Sequence, residues 1–266
     1  MTAPPSSSLL IATYNWPEAL RLVLASVRKQ RVMPSEVVIA DDGSGDPTRE
    51  LIAAEARTFP VPLRHIWHED AGFRLAMIRN KAMAAASGEY LIQLDGDLVL
   101  HPGFVEGHIE FAREGSYAQG SRAMLDEART TDALRTRSVS FSAFSPGVRN
   151  RANAIYLPRL APLGRGPADP LNRTRGCNMA FWRSDIVRVN GYNEAMEGWG
   201  REDSELAARL QNAGVRRRNI KFSAVAWHLH HRTRSQEALP RNHAAFERAV
   251  RERLTRCERG IDQWMT

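Results

Sequence analysis

One short apolar run that stops at two carboxylates constrains this chain more than any other stretch. Residues Tyr90 to Leu94 suit a buried strand, and Asp95-Gly-Asp97 follows directly. Alternation along an extended chain puts the side chains of Asp95 and Asp97 on the same side. Two carboxylates at the carboxyl end of a strand form the oxygen-rich site that Mg²⁺ or Mn²⁺ prefers. A solvated turn uses the same residues, so this motif alone predicts either a metal site or a turn.

The first half of the chain alternates short apolar runs with segments of helical periodicity. The pattern predicts strands at about residues 8–13, 37–40, 61–67 and 89–94, with helices between them. This alternation is typical of α/β proteins, in which a mostly parallel central sheet is flanked by helices. Three of the strands end in polar residues, and the carboxyl ends of parallel strands form the edge where ligands bind. We therefore expect one site that contains residues from 13–15, 41–42 and 95–97.

The composition is that of a globular protein and limits its partners only loosely. Of the 266 residues, 43% are hydrophobic and 25% are charged, and the net charge is +7. A positive balance suits an anionic partner such as a nucleotide, a nucleic acid or an acidic membrane surface. The two cysteines, Cys177 and Cys257, match no metal motif and predict no disulfide framework. The sequence lacks a Gly-rich dinucleotide turn and a Walker loop, which argues against a dehydrogenase and a P-loop NTPase.

Four segments of the first half resemble, in order and spacing, the motifs of a known enzyme family. They are Ile11–Asn15, Val38–Ser44, Gly72–Asn80 and Leu94–Asp97. Together they are similar to the successive motifs of family 2 glycosyltransferases of the GT-A fold, and the resemblance covers most of residues 8–122. Members of that family bind a nucleotide sugar, usually a UDP-sugar, with a divalent metal. The resemblance therefore implies Mn²⁺ or Mg²⁺ as cofactor and a nucleotide sugar as co-substrate.

The same resemblance assigns four polar residues of the first half to the donor site. It implies that Thr13 and Asn15 line the nucleotide pocket and that Asp42 contacts the uracil base. It also implies that Arg79 lies near the base or the phosphates. From the residues alone, simpler roles stay open, because Asn15 suits a helix cap, Asp42 a turn and Arg79 a surface charge.

The metal ligands are expected from two places in the chain. By resemblance, Asp97 binds the metal directly, and Asp95 contacts either the ribose or the metal. A late strand, predicted over residues 222–227, ends in a histidine-rich stretch that begins at His228. Imidazole is a good ligand for divalent ions, and the resembled family supplies a histidine after its last core strand. We choose His228 as this ligand, with His230 as the alternative because it lies on the same side of an extended chain.

The segment Glu197–Glu205 carries the residues that we expect to bind and activate the acceptor. Trp199 offers a flat apolar face for a sugar ring, and Glu202 and Asp203 lie in the first turn of a predicted helix. Acidic residues in a first turn also serve simply to cap the helix dipole. The segment resembles the Trp-Gly-x-Glu-Asp segment of β-1,4-galactosyltransferases and related bacterial polysaccharide synthases. By that resemblance Asp203 is the general base and Glu202 binds a sugar, although the sequence does not separate the roles of two adjacent carboxylates.

The whole chain, 1–266, is expected to form one domain with two functional halves. Residues 8–122 hold the nucleotide sugar, and residues 173–235 hold the acceptor and the base. The stretch between them, 123–172, is rich in Arg, Pro and Gly and has little periodicity, so we expect an irregular, mobile loop over the site. The basic tail, 236–266, is expected to be helical. It suits an anionic membrane surface or packing on the domain, and its narrow apolar face favours packing.

These observations predict an inverting, metal-dependent glycosyltransferase. The resemblance around Trp199 implies galactose or an N-acetylhexosamine as the sugar, and a hydroxyl of a saccharide or lipid-linked molecule as the acceptor. A sugar-nucleotide pyrophosphorylase is the alternative enzyme, although residues 13–17 do not form the Gly-rich phosphate loop that it needs. A basic nucleic-acid-binding module is the non-enzymatic alternative, but the sequence shows no motif of that class, so no nucleic acid is expected as partner. We expect a cytoplasmic location, at most peripheral to the membrane, because no signal peptide or membrane span is predicted.

Overall fold

The computed structural model describes residues 4–164, 174–232 and 235–265 of the chain. The strands are β1 (Ser7–Thr13), β2 (Glu36–Asp41), β3 (Leu63–Trp67), β4 (Tyr90–Asp95), β5 (Leu98–Leu100), β6 (Ser116–Gln119), β7 (Ala123–Leu125), β8 (Val148–Arg149), β9 (Asn178–Trp182), β10 (Arg216–Asn219) and β11 (Ala226–His228). The α-helices are α1 (Pro17–Val27), α2 (Asp46–Ala56), α3 (Leu75–Ala85), α4 (Phe104–Phe111), α5 (Glu127–Thr136), α6 (Arg183–Arg188), α7 (Glu202–Asn212) and α8 (Leu239–Arg251). Short 3₁₀ helices cover Arg151–Ala154, Pro158–Gly164 and Ile261–Trp264.

Seven strands form the central sheet, in the order β10-β6-β9-β4-β1-β2-β3. The four strands β1 to β4 run parallel, and β9 is antiparallel to both of its neighbours, β4 and β6. The strand β3 lies at one edge, where the missing N–H of the preceding Pro62 costs no hydrogen bond; the carbonyl of Pro62 accepts from the N–H of Val37 at 2.9 Å. The predicted α/β fold with a mostly parallel central sheet is therefore confirmed.

Both faces of the central sheet are covered by helices. Alternate residues of each strand point to opposite sides, and both sets contain apolar side chains that need burial. In β1, Leu9 and Ile11 pack against residues of α1, α2 and α4 on one face. Leu10 and Ala12 of the same strand pack against residues of α3, α6 and α7 on the other face. Every residue of β1 is buried, which explains why this strand reads as a continuous apolar run rather than as an alternation.

A second, four-stranded sheet has the order β5-β11-β7-β8 and lies beyond the end of β4. In it β5 pairs antiparallel with β11, and Leu98 lies opposite His228. The N–H of Leu229 donates to the carbonyl of Asp97 at 2.9 Å, which continues this pairing by one residue in each strand. The second sheet thus brings the residues after β4 and the residues after β11 together, although they are 131 positions apart.

Two expectations about the second half need correction. The stretch 123–172 is not irregular throughout, because it contains β7, α5 and β8; of it, residues 165–172 lie outside the described residues. The start of α5 is marked by a capping residue that composition alone does not reveal. The carboxylate of Asp126 caps the helix by accepting from the N–H of Arg129. The late strand is also shorter than predicted. It begins at Ala226, since Phe222 and Ala224 have left-handed backbone angles that no strand accommodates.

The C-terminal tail packs on the domain, as its narrow apolar face predicted. Phe246 and Ala249 of α8 form a small cluster with Ala208 of α7. At the C-terminal end of α7, the side-chain amide of Asn212 donates to the carbonyls of Ala249 and Leu254, at 3.1 and 2.8 Å. None of the helices among the described residues is long and apolar enough to cross a membrane.

Candidate active site

A cavity of about 910 Å³ opens along the edge of the sheet where β1, β2 and β4 end. It is lined by all of the site residues predicted from the sequence: Thr13, Asn15, Asp42, Arg79, Asp95, Asp97, Trp199, Glu202, Asp203 and His228. These residues come from the ends of three parallel strands, from α3, from the loop before α7 and the start of that helix, and from the end of β11. The expected convergence at one sheet edge is therefore observed, whereas the role of each residue stays a prediction.

The turn after β4 places its two carboxylates beside the end of β1. The N–H of Gly96 donates to the carbonyl of Ala12 at 2.6 Å. A side chain at Gly96 would place its first carbon 2.8 Å from that same oxygen, so the turn needs glycine for this close approach. Asp95 and Asp97 flank Gly96 in sequence, and both line the cavity.

Asp97, His228 and His231 form a cluster of the kind that holds a metal ion. The Nε2 atoms of His228 and His231 lie 3.4 and 3.2 Å from the same oxygen, Oδ2 of Asp97. One ligand atom from each of the three residues lies within 4.8 Å of the others. A carboxylate with two imidazoles suits Mn²⁺ and similar divalent ions.

The charges and unpaired atoms of this cluster fit a metal. Among the described residues, Oδ1 of Asp97 and Nδ1 of His228 are buried and have no hydrogen-bond partner. Burial lowers the pKa of His228, which favours the neutral imidazole that binds metals. Burial alone would raise the pKa of Asp97, but the hydrogen bond from His231 and the electrostatic effect of the nearby basic groups lower it. The carboxylate is therefore ionised and ready to bind a cation.

The cluster differs from the predicted ligand set at two positions. His231 joins it, whereas the alternative ligand, His230, is exposed and its N–H donates to the hydroxyl of Thr130. The strand ends at His228, so the two-residue alternation on which His230 was chosen does not extend that far. Asp95 also lies outside the cluster, because its Oδ1 accepts a hydrogen bond from the guanidinium of Arg79.

Arg79 connects the two ends of the cavity. It is buried, so the simpler role that its sequence also allowed, a surface charge on its helix, is ruled out. Its two terminal nitrogens lie 2.8 Å from Oδ1 of Asp95 and 3.3 Å from Oε1 of Glu202. Burial works against its charge, but the hydroxyl of Tyr192 and the carboxylates of Asp95 and Glu202 raise the pKa of Arg79 above its usual value. The guanidinium stays charged and holds the strand-end carboxylate and the helix α7 at a fixed separation.

The two carboxylates at the start of α7 differ in their surroundings. Glu202 is buried, and burial together with the neighbouring charge of Asp203 raises the pKa of Glu202 to about 7. Asp203 is less buried and accepts from the N–H groups of Gly176 and Ser204, at 2.7 and 2.6 Å. Burial also raises the pKa of Asp203, and its hydrogen bonds and Arg79 oppose that rise. Of the two, Asp203 is better placed to meet a substrate, and Glu202 is held by Arg79.

The residues at the ends of β1 and β2 are fixed by hydrogen bonds. Asn15 does not cap α1, which is preceded by Trp16; its Oδ1 accepts from the N–H of Gly45 at 2.9 Å. The carboxylate of Asp42 is buried and accepts from Nε2 of His68 at 2.8 Å and from the N–H of Arg74 at 3.1 Å. Asp42 is thus more than a turn former, since its side chain has one orientation at the cavity wall.

Trp199 lies on a loop with an unusual backbone. Gly198, Gly200 and Arg201 all have positive φ angles, of 77°, 108° and 72°. The loop turns sharply on both sides of Trp199, whose side chain is 38% exposed and lines the cavity. A large, partly exposed ring in a cavity wall is available to a ligand.

Besides His231, the cavity contains a second charged residue that was not predicted from the sequence, Arg122. Arg122 follows β6 and lines the cavity near the metal-type cluster. Its Nη1 donates to Sγ of Cys177 at 2.7 Å, and its Nε has no hydrogen-bond partner in the described part of the chain. No local pattern marks Arg122, because only the fold distinguishes one arginine among 37 basic residues.

Comparison with known proteins agrees with this geometry. The family model for glycosyl transferase family 2 matches residues 8–168, and the model described as the N-terminal domain of galactosyltransferase matches residues 165–232. The first match covers more than half of the chain. The second covers the Trp199 loop, α7 and the histidine-rich segment, which are the parts that resemble galactosyltransferases in sequence.

Related proteins and solved structures point to the same family. The chain is 27% identical to a chondroitin synthase of Escherichia coli, over 83% of this chain and 34% of that protein. It is 29% identical to the validoxylamine A glucosyltransferase of Streptomyces hygroscopicus subsp. limoneus, over 79% of this chain and 49% of that protein. The chain thus spans about a third to a half of these relatives.

A mannosyltransferase of Pyrobaculum calidifontis, solved with GDP-Man and Mn²⁺, superposes with a TM-score of 0.62 at 20% identity, over 94% of this chain and 65% of that one. S. aureus TarS residues 1–349, solved with UDP, superpose with a TM-score of 0.61 at 17% identity, over 91% of this chain and 64% of that one. These likenesses show the fold. The family assignment also decides against the pyrophosphorylase and the nucleic-acid-binding module. The chain belongs to glycosyl transferase family 2 and is a glycosyltransferase domain of the GT-A fold.

Proposed function

We propose that this domain transfers a sugar from a nucleotide donor, a UDP-sugar, to a hydroxyl of a saccharide or lipid-linked acceptor, with inversion at the anomeric carbon. The observation that carries the proposal is that a single cavity joins the Asp97, His228 and His231 cluster to the Asp203 carboxylate, with Arg79 between them. Galactose and N-acetylhexosamines are the first sugars to test, because of the galactosyltransferase match over residues 165–232.

The donor half of the proposed site uses the ends of the parallel strands. Thr13, Asn15 and Asp42 hold the nucleoside, and Asp42 accepts a hydrogen bond from the base with a carboxylate that His68 keeps in place. Asp97, His228 and His231 would hold Mn²⁺ or Mg²⁺ at this end of the cavity. When bound, the ion neutralises charge on the leaving diphosphate. Arg122, beside this cluster, adds a second positive charge at the same end of the cavity.

The acceptor half uses the Trp199 loop and the start of α7. A sugar ring packs on the exposed face of Trp199, and one of its hydroxyls points to Asp203. Asp203 takes the proton of that hydroxyl while the oxygen forms a bond to the anomeric carbon. The bond from that carbon to the diphosphate breaks on the opposite face, so no covalent enzyme intermediate is needed. Glu202, held by Arg79, binds a sugar hydroxyl beside the reacting carbon.

A thermal-shift panel tests the donor half of this proposal. The protein is melted with UDP, GDP, UDP-galactose, UDP-glucose, two UDP-N-acetylhexosamines and GDP-mannose, each with Mn²⁺ and with chelator. A ligand at 100 times its Kd stabilises by about 2.7 kcal/mol and raises Tm by about 5 °C or more. A shift with one UDP-sugar that chelator removes supports the proposal. The absence of any nucleotide-dependent shift with Mn²⁺ contradicts it. A shift with GDP-mannose alone would contradict UDP and identify GDP as the donor nucleotide.

A further inference from the structure

The loop that holds Trp199 is fastened to the first turn of α8. The carbonyl of Glu197 accepts two hydrogen bonds from that turn, from Nη2 of Arg241 at 2.8 Å and from Nδ2 of Asn242 at 3.2 Å. Arg241 is exposed, whereas Asn242 is 1% exposed, so its amide is a fully buried donor. A buried amide with a fixed partner defines the position of the backbone that it bonds.

Close packing ties the same loop to α8. A side chain at Gly198 would begin 2.4 Å from Cβ of Ala238, and one at Gly200 would begin 2.9 Å from Cδ1 of Leu239. The two glycines therefore serve a second purpose beside their positive φ angles, because they let α8 approach the loop backbone. The loop is also held by a backbone hydrogen bond, in which the N–H of Gly198 donates to the carbonyl of Phe73 at 2.9 Å.

The first turn of α8 also reaches the cavity itself. Leu239 lines the cavity together with Trp199, and it is half-buried. An apolar side chain beside an indole extends the surface that the apolar face of a pyranose ring can cover. The other end of α8 is fixed to α7, the helix that begins with Glu202 and Asp203. The helix α8 therefore packs against the backbone of the Trp199 loop at its start and against the C-terminal half of α7 at its end.

We propose that the first turn of α8 is part of the acceptor site: Leu239 contacts the acceptor sugar beside Trp199, and Asn242 is a positioning residue that holds the Trp199 loop. The inference rests on the proposed function, in which Trp199 binds the acceptor. It goes beyond that function, because it assigns an acceptor role to a C-terminal helix whose sequence shows only a basic amphipathic pattern.

The experiment separates acceptor binding from donor binding and from fold stability. The assay uses the UDP-sugar with the largest thermal shift and p-nitrophenyl β-hexosides as acceptors. For each variant we measure the KM for donor, the KM for acceptor, the rate of donor hydrolysis without acceptor, and Tm. Asn242→Leu removes the buried donor at nearly constant volume, and Leu239→Ala removes the apolar contact at a half-buried position where the fold tolerates it.

Asn212→Leu is the matched control, because it removes two hydrogen bonds that fix the opposite end of α8. We expect Asn242→Leu and Leu239→Ala to raise the acceptor KM by about tenfold. Donor KM and donor hydrolysis should stay unchanged. Asn212→Leu should lower Tm without a change in acceptor KM.

The outcomes distinguish this inference from the proposed function. An unchanged acceptor KM in Leu239→Ala and in any soluble Asn242→Leu protein overturns the inference, as does an equal rise in Asn212→Leu. Trp199→Ala is the reference variant for the proposed function. If it leaves the acceptor KM unchanged, Trp199 is not an acceptor residue, and the proposed acceptor half fails whatever the α8 variants do.

Discussion

The backbone N–H of Gly176 donates a hydrogen bond to the carboxylate of Asp203 at 2.7 Å. The N–H and the hydroxyl of Ser204 donate to the other oxygen, at 2.6 and 3.2 Å. A carboxylate can accept about four hydrogen bonds, so Asp203 keeps room for a substrate hydroxyl. Its direction is thus fixed before an acceptor arrives, which is what a general base requires.

Asp203→Asn tests this assignment. We expect the transfer rate to fall by about 10²- to 10⁴-fold, because an amide cannot take the acceptor proton. UDP affinity with Mn²⁺ should remain at the wild-type value, since Asp203 is assigned to the acceptor half of the cavity. The amide must turn its NH₂ towards one of its backbone donors, so a modest fall in Tm is also expected.

Steady-state transfer assays and titration with UDP measure the two effects of this substitution. Asp262→Asn is the control, since Asp262 pairs with Arg256 at the surface and lies outside the residues that line the cavity. A joint loss of UDP affinity and activity in Asp203→Asn would show that Asp203 supports the donor site instead.

The fold and the strand-end residues could be predicted because their signals are local. Each apolar run and the polar residues that end it are adjacent in sequence, and the parallel sheet alone brings the ends of β1, β2 and β4 to one edge. Asp42 and Asp97 are therefore found from the pattern and the family resemblance.

The remaining site residues depend on tertiary contacts. Arg79 was assigned to the site only by family resemblance; its helical sequence is ordinary, and its contacts with Asp95 and Glu202 are seen only in the fold. His231 was missed because its place in the cluster depends on where β11 stops, and strand ends are set by pairing with β5 and not by composition. The proposed role of α8 could not be predicted for the same reason, since only the fold shows that the side chain of Asn242 bonds the carbonyl of Glu197.

His231→Ala and His230→Ala form a matched pair that tests the metal cluster. We expect His231→Ala to weaken apparent Mn²⁺ affinity in the presence of UDP by at least about tenfold, because it removes one of three clustered ligands. His230→Ala should leave the apparent Mn²⁺ affinity unchanged, since His230 lines the same cavity but lies outside the cluster. Thermal shift against Mn²⁺ concentration provides the measurement. The reverse ranking of the two variants would restore the sequence-based alternative, His230.

Arg79→Met tests the bridge between the donor and acceptor ends. The substitution leaves the carboxylates of Asp95 and Glu202 without their buried partner, and breaking such a pair costs about 3–5 kcal/mol. We expect a marked fall in Tm and a loss of donor binding, whereas Arg79→Lys should recover part of the stability but not the two-sided contact. Arg248→Ala, which breaks an exposed pair with Glu252, should leave Tm unchanged. Equal Tm values for Arg79→Met and wild type would mean that the bridge does not stabilise the fold.

The raised pKa of Glu202 predicts a pH-dependent stability difference between the wild type and Glu202→Gln. Burial and the charge of Asp203 raise the pKa of Glu202 from 4.5 to about 7. A carboxyl group that holds its proton more tightly in the folded state stabilises the fold below its unfolded pKa, and this contribution is lost as pH rises. Between about pH 4.5 and pH 7 the wild type should therefore lose stability relative to Glu202→Gln, and above this range the difference should level off. Urea unfolding of both proteins across this range, without metal or nucleotide, measures the difference; a constant value, or one that changes in the opposite direction, would contradict the raised pKa.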